Sequence, residues 1–159
     1  MEQKTLSNWL KYILIGTGIC GMIVYVFVIP MCGRYIQELY PEFSNCFWPW
    51  LIFLWISGIP CFTVLVFGWK IATNIGKDLS FSEDNSKFFK WISNLSAADA
   101  AFFFVGNIIL LLNNMNHPSI LLASFAVEFV GIAISVASAV LSHLVSKAAA
   151  LQEQSDWTI

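Results

Sequence analysis

The stretch SILLASFAVEFVGIAISVASAVLSHL, residues 119–144, decides the fold. It is apolar over 26 residues and contains one acid, Glu128. A helix needs roughly 20 such residues to cross a hydrocarbon core about 30 Å thick. Its small and polar residues are ordered: Ser124, Glu128, Gly131, Ser135, Ser138 and Ser142 recur at spacings of four and three. That spacing marks one helical face. Small residues allow close approach of membrane helices, and hydroxyls bond across the contact. The stripe is therefore expected to pack into a bundle and to turn Glu128 inward, about nine residues or about 13 Å into the span.

Three further runs have similar character, at about residues 12–31, 47–71 and 95–112. With 58% hydrophobic and 11% charged residues in 159, the chain differs from soluble domains, which carry roughly 25% charged residues. The expected class is all-α: an integral membrane four-helix bundle forming a single domain over residues 1–159. The first run is too long for a signal-peptide core and no small-residue cleavage site follows it, so it is expected to be a retained span. Trp9, Tyr12, Tyr35, Tyr40, Trp48, Trp50, Trp69 and Trp91 mark span edges, as expected of residues at headgroup depth.

Lysine and arginine set the expected orientation. Lys4, Lys11, Lys70, Lys77, Lys87, Lys90 and Lys147 fall on one side of a four-span layout and Arg34 on the other. Basic residues accumulate on the cytoplasmic side, so both termini are expected there, in a bacterial plasma membrane. The inner loop then covers residues 70–94 and the cytoplasmic tail residues 145–159. Within that loop Ser80 and Glu83 have capping-box spacing, with Ser82 as an alternative cap, followed by Phe88, Phe89, Trp91 and Ile92 among Lys87 and Lys90. This predicts a short amphipathic helix on the inner surface, or equally a cytoplasmic extension of the third span.

Ionisable groups inside spans are costly and mark candidate sites. Asp99 and Glu128 are the two here. Asp99 also has the spacing of a capping box with Ser96, which would place it at the start of a helix near the inner interface. His143 is a further candidate neighbour for it. Glu128 has Asn107 as its expected partner, since both lie at similar depth. Such a pair fixes helix register or forms a sensing site. Gly16 with Cys20, Thr17 with Gly21, and Ser57 with Cys61 have the spacing of packing devices, and Pro60 is expected to kink the second span. Cys32 and Cys46 flank the outer loop and would form a disulfide if that face is oxidising. No nucleotide-binding glycine motif, zinc-spaced cluster or catalytic triad pattern is visible, so no enzyme activity, metal or cofactor is expected.

The segment Ile71-Ala72-Thr73-Asn74-Ile75-Gly76-Lys77-Asp78-Leu79-Ser80-Phe81-Ser82-Glu83-Asp84-Asn85 resembles the signature of a small bacterial four-span membrane family of unknown function. Members show Phe-Ser-x-x-Asn after the second span, matched by Phe81, Ser82 and Asn85, and an acidic tail closing on Leu-Thr-Ile or Leu-Thr-Val. Here the tail is Leu151-Gln152-Glu153-Gln154-Ser155-Asp156-Trp157-Thr158-Ile159, with Trp157 in place of the Leu, and the basic residues after the motif are reduced to Lys87 and Lys90. The layout is similar to membrane partners of Xre-type and LytTR-type DNA-binding regulators. In the LytTR systems the membrane protein restrains its regulator.

The resemblance implies a membrane-resident protein that sequesters or inhibits a cytoplasmic transcription regulator without touching nucleic acid itself. Phe81, Ser82, Glu83, Asp84, Asn85, Glu153, Asp156 and Trp157 are the candidate partner-binding residues. Two other expectations stand beside it: a transport or immunity accessory for a small molecule, lipid or peptide, and a structural subunit of a membrane complex or homo-oligomer joined through the stripe of the fourth span.

Overall fold

The computed structural model describes residues 3–156. Among the described residues there is no strand; the chain runs through α1 (Gln3–Ile23), a π-helical turn (Val24–Val28), α2 (Ile29–Leu39), a 3-10 segment (Pro41–Cys46), α3 (Phe47–Ile75), α4 (Glu83–Leu112) and α5 (Pro118–Asp156). Four helical stretches are long and apolar enough to cross a membrane: Gln3–Leu39, Pro41–Ile75, Glu83–Leu112 and Pro118–Ser155. Each contains one of the four apolar runs and extends it at one or both ends.

The lysines gather at one end of the bundle, called here the basic end. Lys11 lies 5.5 Å from the Trp69 ring, and Lys70 lies over Phe67 and Phe88 at 5.5 and 5.4 Å. A cation over an aromatic face contributes about 0.5–1 kcal/mol where it is exposed.

The first span is unbroken but locally widened, and Pro30 supplies a reason. A proline in a helix removes one N–H donor and its ring presses on the carbonyl four residues earlier. Around it the Ile29 N–H bonds back to the Val24 carbonyl, five residues away. The Tyr25 carbonyl thereby loses Ile29, and five residues ahead of it stands Pro30, which has no N–H. The Trp55 indole N–H fills this gap, donating to the Tyr25 oxygen at 3.1 Å. Trp55→Phe is therefore expected to cost about 1–2 kcal/mol, the penalty of an orphaned acceptor. In a Pro30→Ala background, where the peptide N–H returns, the cost should largely vanish. Thermal unfolding of the two single variants and the double variant in detergent reads this coupling directly; additive losses would refute it.

α1 and α3 pack antiparallel. Ser7 Oγ donates to the Ala72 carbonyl at 2.6 Å, and Gly76 lies so close that a Cβ there would stand 2.7 Å from Ser7 Oγ. Farther along, Gly18 and Gly21 face Leu65 and Phe62, whereas Gly16 meets nothing and Cys20 is exposed. Of the spacings expected to mediate contact in the first span, the one containing Gly21 is used and Gly16 with Cys20 is not. The anticipated Cys32–Cys46 bridge is absent as well: both are free thiols. Gly33 is the residue that faces Phe47 and Trp50. Cys32, about 100° round the helix from it, turns outward and is exposed.

α4 is one continuous helix from Glu83. The separate surface helix anticipated in the inner loop is not formed; residues 83–94 extend the third span. Ser82 caps it, accepting the Asn85 N–H at 3.3 Å, so the alternative cap is the one used.

α4 and α5 pack along the stripe. Ser86 Oγ donates to the Ser142 carbonyl at 2.9 Å while Ser142 Oγ donates to the Ser86 carbonyl at 2.8 Å. One heptad farther along, Ser135 Oγ donates to the Ser93 carbonyl at 2.9 Å. Another step brings Ala100 against Gly131, where an added Cβ would sit 3.6 Å from the alanine methyl. Ser124, Glu128 and Ser138 are buried. The seven-residue repeat of this seam is the signature of near-antiparallel packing at about 20°. The stripe is thus engaged within the chain.

Candidate functional site

Two polar constellations stand out: one within the membrane span, the other at the basic end.

The first centres on Asp99. The expected Ser96–Asp99 cap is not formed, because the helix begins sixteen residues before Asp99, at Glu83. Asp99 instead lies in the interior of α4, facing α3. Its Oδ2 accepts from Ser57 Oγ at 3.2 Å and from Cys61 Sγ at 3.7 Å. Its Oδ1 is buried and has no hydrogen-bond partner. The Tyr25 phenol joins from the π-turn, interacting with Cys61 and Ser57 and lying close enough to Asp99 to feel its charge. Gly58 makes this possible: its missing side chain leaves space for the Tyr25 ring, and a Cβ there would stand 2.9 Å from Cε1. Ser57 and Cys61, read from spacing as packing devices, are therefore the polar partners of Asp99. Tyr25 carried no sequence signal of a role here. π-turns do recur at functional sites, and the Pro30 that accompanies this one is visible in the sequence.

His143 does not join the cluster. The α4–α5 register sets Ser142 against Ser86, so His143 lies beside the start of α4, roughly thirteen residues or about 20 Å from the level of Asp99.

Glu128 and Asn107 do not bond to each other in the way their depths suggested. Asn107 is buried; its Nδ2 donates to the Phe103 carbonyl at 2.9 Å, and its Oδ1 accepts from Asn116 Nδ2 at 3.1 Å. Asn116 comes from the α4–α5 loop, outside the spans, which is why a search for depth-matched groups missed it. Glu128 faces inward as expected, with Ser124 Oγ at 3.5 Å from Oε1, at the limit of a hydrogen bond.

The second constellation is the turn between α3 and α4. Asn85 is 0% exposed. Its Nδ2 donates to the carbonyls of Leu79 and Ser80 at 3.0 and 3.1 Å, and its Oδ1 accepts from Asn74 Nδ2 at 2.8 Å. Asp78 takes φ 60°, the left-handed conformation that asparagine and aspartate tolerate best. Ser82 and Asn85 thus build the turn from within, and Asn85 is closed to any partner. Leu79 and Phe81 are 51% and 59% exposed, with Glu83 and Asp84 exposed beside them; Glu83 pairs with Lys87 at 3.7 Å on the surface. Glu153 is exposed near the end of α5. The Asp156 side chain and Trp157 lie outside the described residues.

At the opposite end lies a cavity of about 320 Å³, unforeseen from the sequence, lined by residues including Gly33, Gln37, Tyr40, Trp50, Asn116 and His117. It forms where the end of α2, the 3-10 segment and the α4–α5 loop converge, a meeting of segments far apart in the chain.

Residues 31–159 match the model of a family described as a protein of unknown function, DUF2975. The chain is also 25% identical over 153 residues to the "Uncharacterized membrane protein YoaS" of Bacillus subtilis (strain 168), covering 95% of this chain and 96% of the relative. No solved structure matches. The family match spans α2 to α5, including the Asn74–Asn85 turn, the Asp99 cluster's α3 and α4 members and the serine seam, and it makes this multi-pass membrane protein a member of the DUF2975 family.

Proposed function

We propose that the chain is a membrane-resident regulatory protein that holds a DNA-binding transcription regulator at the cytoplasmic face of a bacterial plasma membrane and so inhibits it. The excess of lysines at the basic end supports placing that end and both termini in the cytoplasm. The observation that carries the reading is the displayed turn. Asn85 fixes its backbone from inside, and this rigidity presents Leu79 and Phe81 to solvent with Glu83 and Asp84 alongside. An apolar anchor rimmed by acids suits a basic partner, because charge complementarity steers encounter while the buried anchor supplies affinity. α5 adds a second arm. Beyond Leu144 it continues for twelve residues to Asp156, about 18 Å of helix, with Leu151 and Glu153 exposed. The protein acts here by binding and performs no catalysis.

Crosslinking in intact cells followed by purification of the membrane protein tests this. A cytoplasmic DNA-binding protein should co-purify with the native chain. Replacing Phe81 with Ala together with Glu83 and Asp84 with Lys should reduce its recovery at least tenfold, with no change in membrane abundance, and deleting Leu151–Ile159 should weaken it further. An unchanged pull-down overturns the tether. The cavity at the opposite end then favours the second reading, an accessory protein that binds a small apolar molecule, lipid or peptide, since such sites combine aromatic walls with a few polar groups such as Gln37 and Asn116.

A further inference from the structure

We propose that Tyr25, Ser57, Cys61 and Asp99 form a proton-binding site inside the membrane, with Asp99 Oδ1 as the atom that takes the proton. The proposal stands apart from the tether reading and does not need a cytoplasmic partner.

The geometry is one-sided. Ser57 and Cys61 both aim their hydrogens at Oδ2, while Oδ1 is buried and unpartnered. A buried polar atom without a hydrogen-bond partner requires an explanation, and a proton carried on that atom is one. The environment also lacks a counter-charge. From the π-turn the group facing Asp99 is the Tyr25 phenol, and from α3 it is the Cys61 thiol. On α4 the nearest basic residue is Lys90 and on α3 it is Lys70, each nine residues from the cluster or about 13 Å along its helix. On the first span it is Arg34 of α2, nine residues or about 13 Å along the helix from Tyr25, with Lys11 of α1 about 21 Å away on the other side. From α5 the acid at this level is Glu128, on the side of α4 that carries Ala100, about 100° round the helix from Asp99. No cation thus meets the carboxylate, and an unpaired charge inside a bilayer costs several kcal/mol.

The ligand that fits is a proton. Hard metal cations take six or more oxygen ligands. Here the hydroxyl and thiol present hydrogens, so they suit a carboxyl group completed at its other oxygen. The step is simple and balanced: one O–H bond forms at Oδ1 as one O–H bond of a hydronium ion breaks and leaves water, no bond in the protein breaks, and the charge of the cluster goes from −1 to 0.

The location gives the event a reach. The cluster joins three elements, and it lies beside the π-turn and beside Pro60, whose missing N–H leaves a gap in the hydrogen-bond ladder of α3. Loss of charge at Asp99 alters the strength of the Ser57 and Cys61 contacts, since hydrogen bonds to an ionised acceptor are roughly twice as strong as neutral ones. The α3–α4 contact therefore weakens at this level when the proton binds.

Infrared difference spectroscopy on the full-length chain in liposomes, taken between alkaline and acid buffer, tests the site. Acidification should produce a protonated-carboxyl stretch at the high frequency of a weakly hydrogen-bonded acid. That band should shift when aspartate carboxyls are isotopically labelled, should be lost in Asp99→Asn, and should persist in Glu128→Gln. Should Asp99→Asn not accumulate, Asp99→Glu serves instead, since its band must stop responding to the aspartate label. A band that ignores pH, that ignores the aspartate label, or that disappears in Glu128→Gln overturns the proposal.

Discussion

Asn85→Ala is expected to destabilise the purified protein by about 3 kcal/mol, because it removes three part-buried hydrogen bonds that contribute about 0.5–1.5 kcal/mol each. The partners lost are the Leu79 and Ser80 carbonyls and the Asn74 amide, all of which bond to Asn85. Asn85→Asp should be nearly as damaging. It keeps the acceptor for Asn74 but removes both donors and adds a charge at a fully buried position. Ser82→Ala, which loses only the helix cap, should cost about 1 kcal/mol. Chemical or thermal unfolding in mild detergent ranks the three. If Asn85→Ala proves milder than Ser82→Ala, the turn is not held from within as described. This ranking also guards the tether hypothesis, since a fold defect at Asn85 would imitate loss of a partner.

Gly106→Ala should loosen the contact between α3 and α4 by about 1–3 kcal/mol, the usual penalty of overpacking. The Phe53 ring lies directly over Gly106, in the space where a Cβ would go. The ring has no easy retreat, because it is packed between Phe102 and Phe103 with centroids 5.2 and 5.4 Å away. Phe53→Leu in the same chain should recover most of the loss by opening the space the new methyl needs. Measured as a double-variant cycle, a coupling near zero would show that the ring moves aside freely.

The spans show how much was legible in the sequence. Crossing a bilayer depends on length and apolarity along one segment, so residues 12–31, 47–71, 95–112 and 119–144 could be read without knowing any contact. The stripe of the fourth span was legible for a related reason: Ser135 and Ser142 point one way because of helical periodicity alone, and their bonds to Ser93 and Ser86 follow from that direction. Asp99 shows the opposite case. Its spacing from Ser96 matches a cap, but a local pattern cannot tell where a helix starts when a better cap, Ser82, lies upstream. Its actual partners, Ser57 and Cys61, are 42 and 38 positions away. Asn85 was visible as part of a motif with Phe81 and Ser82 but was expected on a partner-binding surface, because its burial depends on Asn74 returning to meet it.

Hydrophobicity, length and charge placement are sums along the chain, and they alone determined that this protein is a bundle of four membrane-spanning helices with its lysines at one end. Which polar groups meet inside that bundle was decided only by tertiary structure. Helices of similar apolarity can rotate and slide past one another at little cost in burial, and the register is chosen by a few specific contacts: Tyr25 over Gly58, Phe53 over Gly106 and the reciprocal serines of α4 and α5. Those contacts bring Asp99 to Ser57 and Cys61 and leave one of its oxygens without a partner.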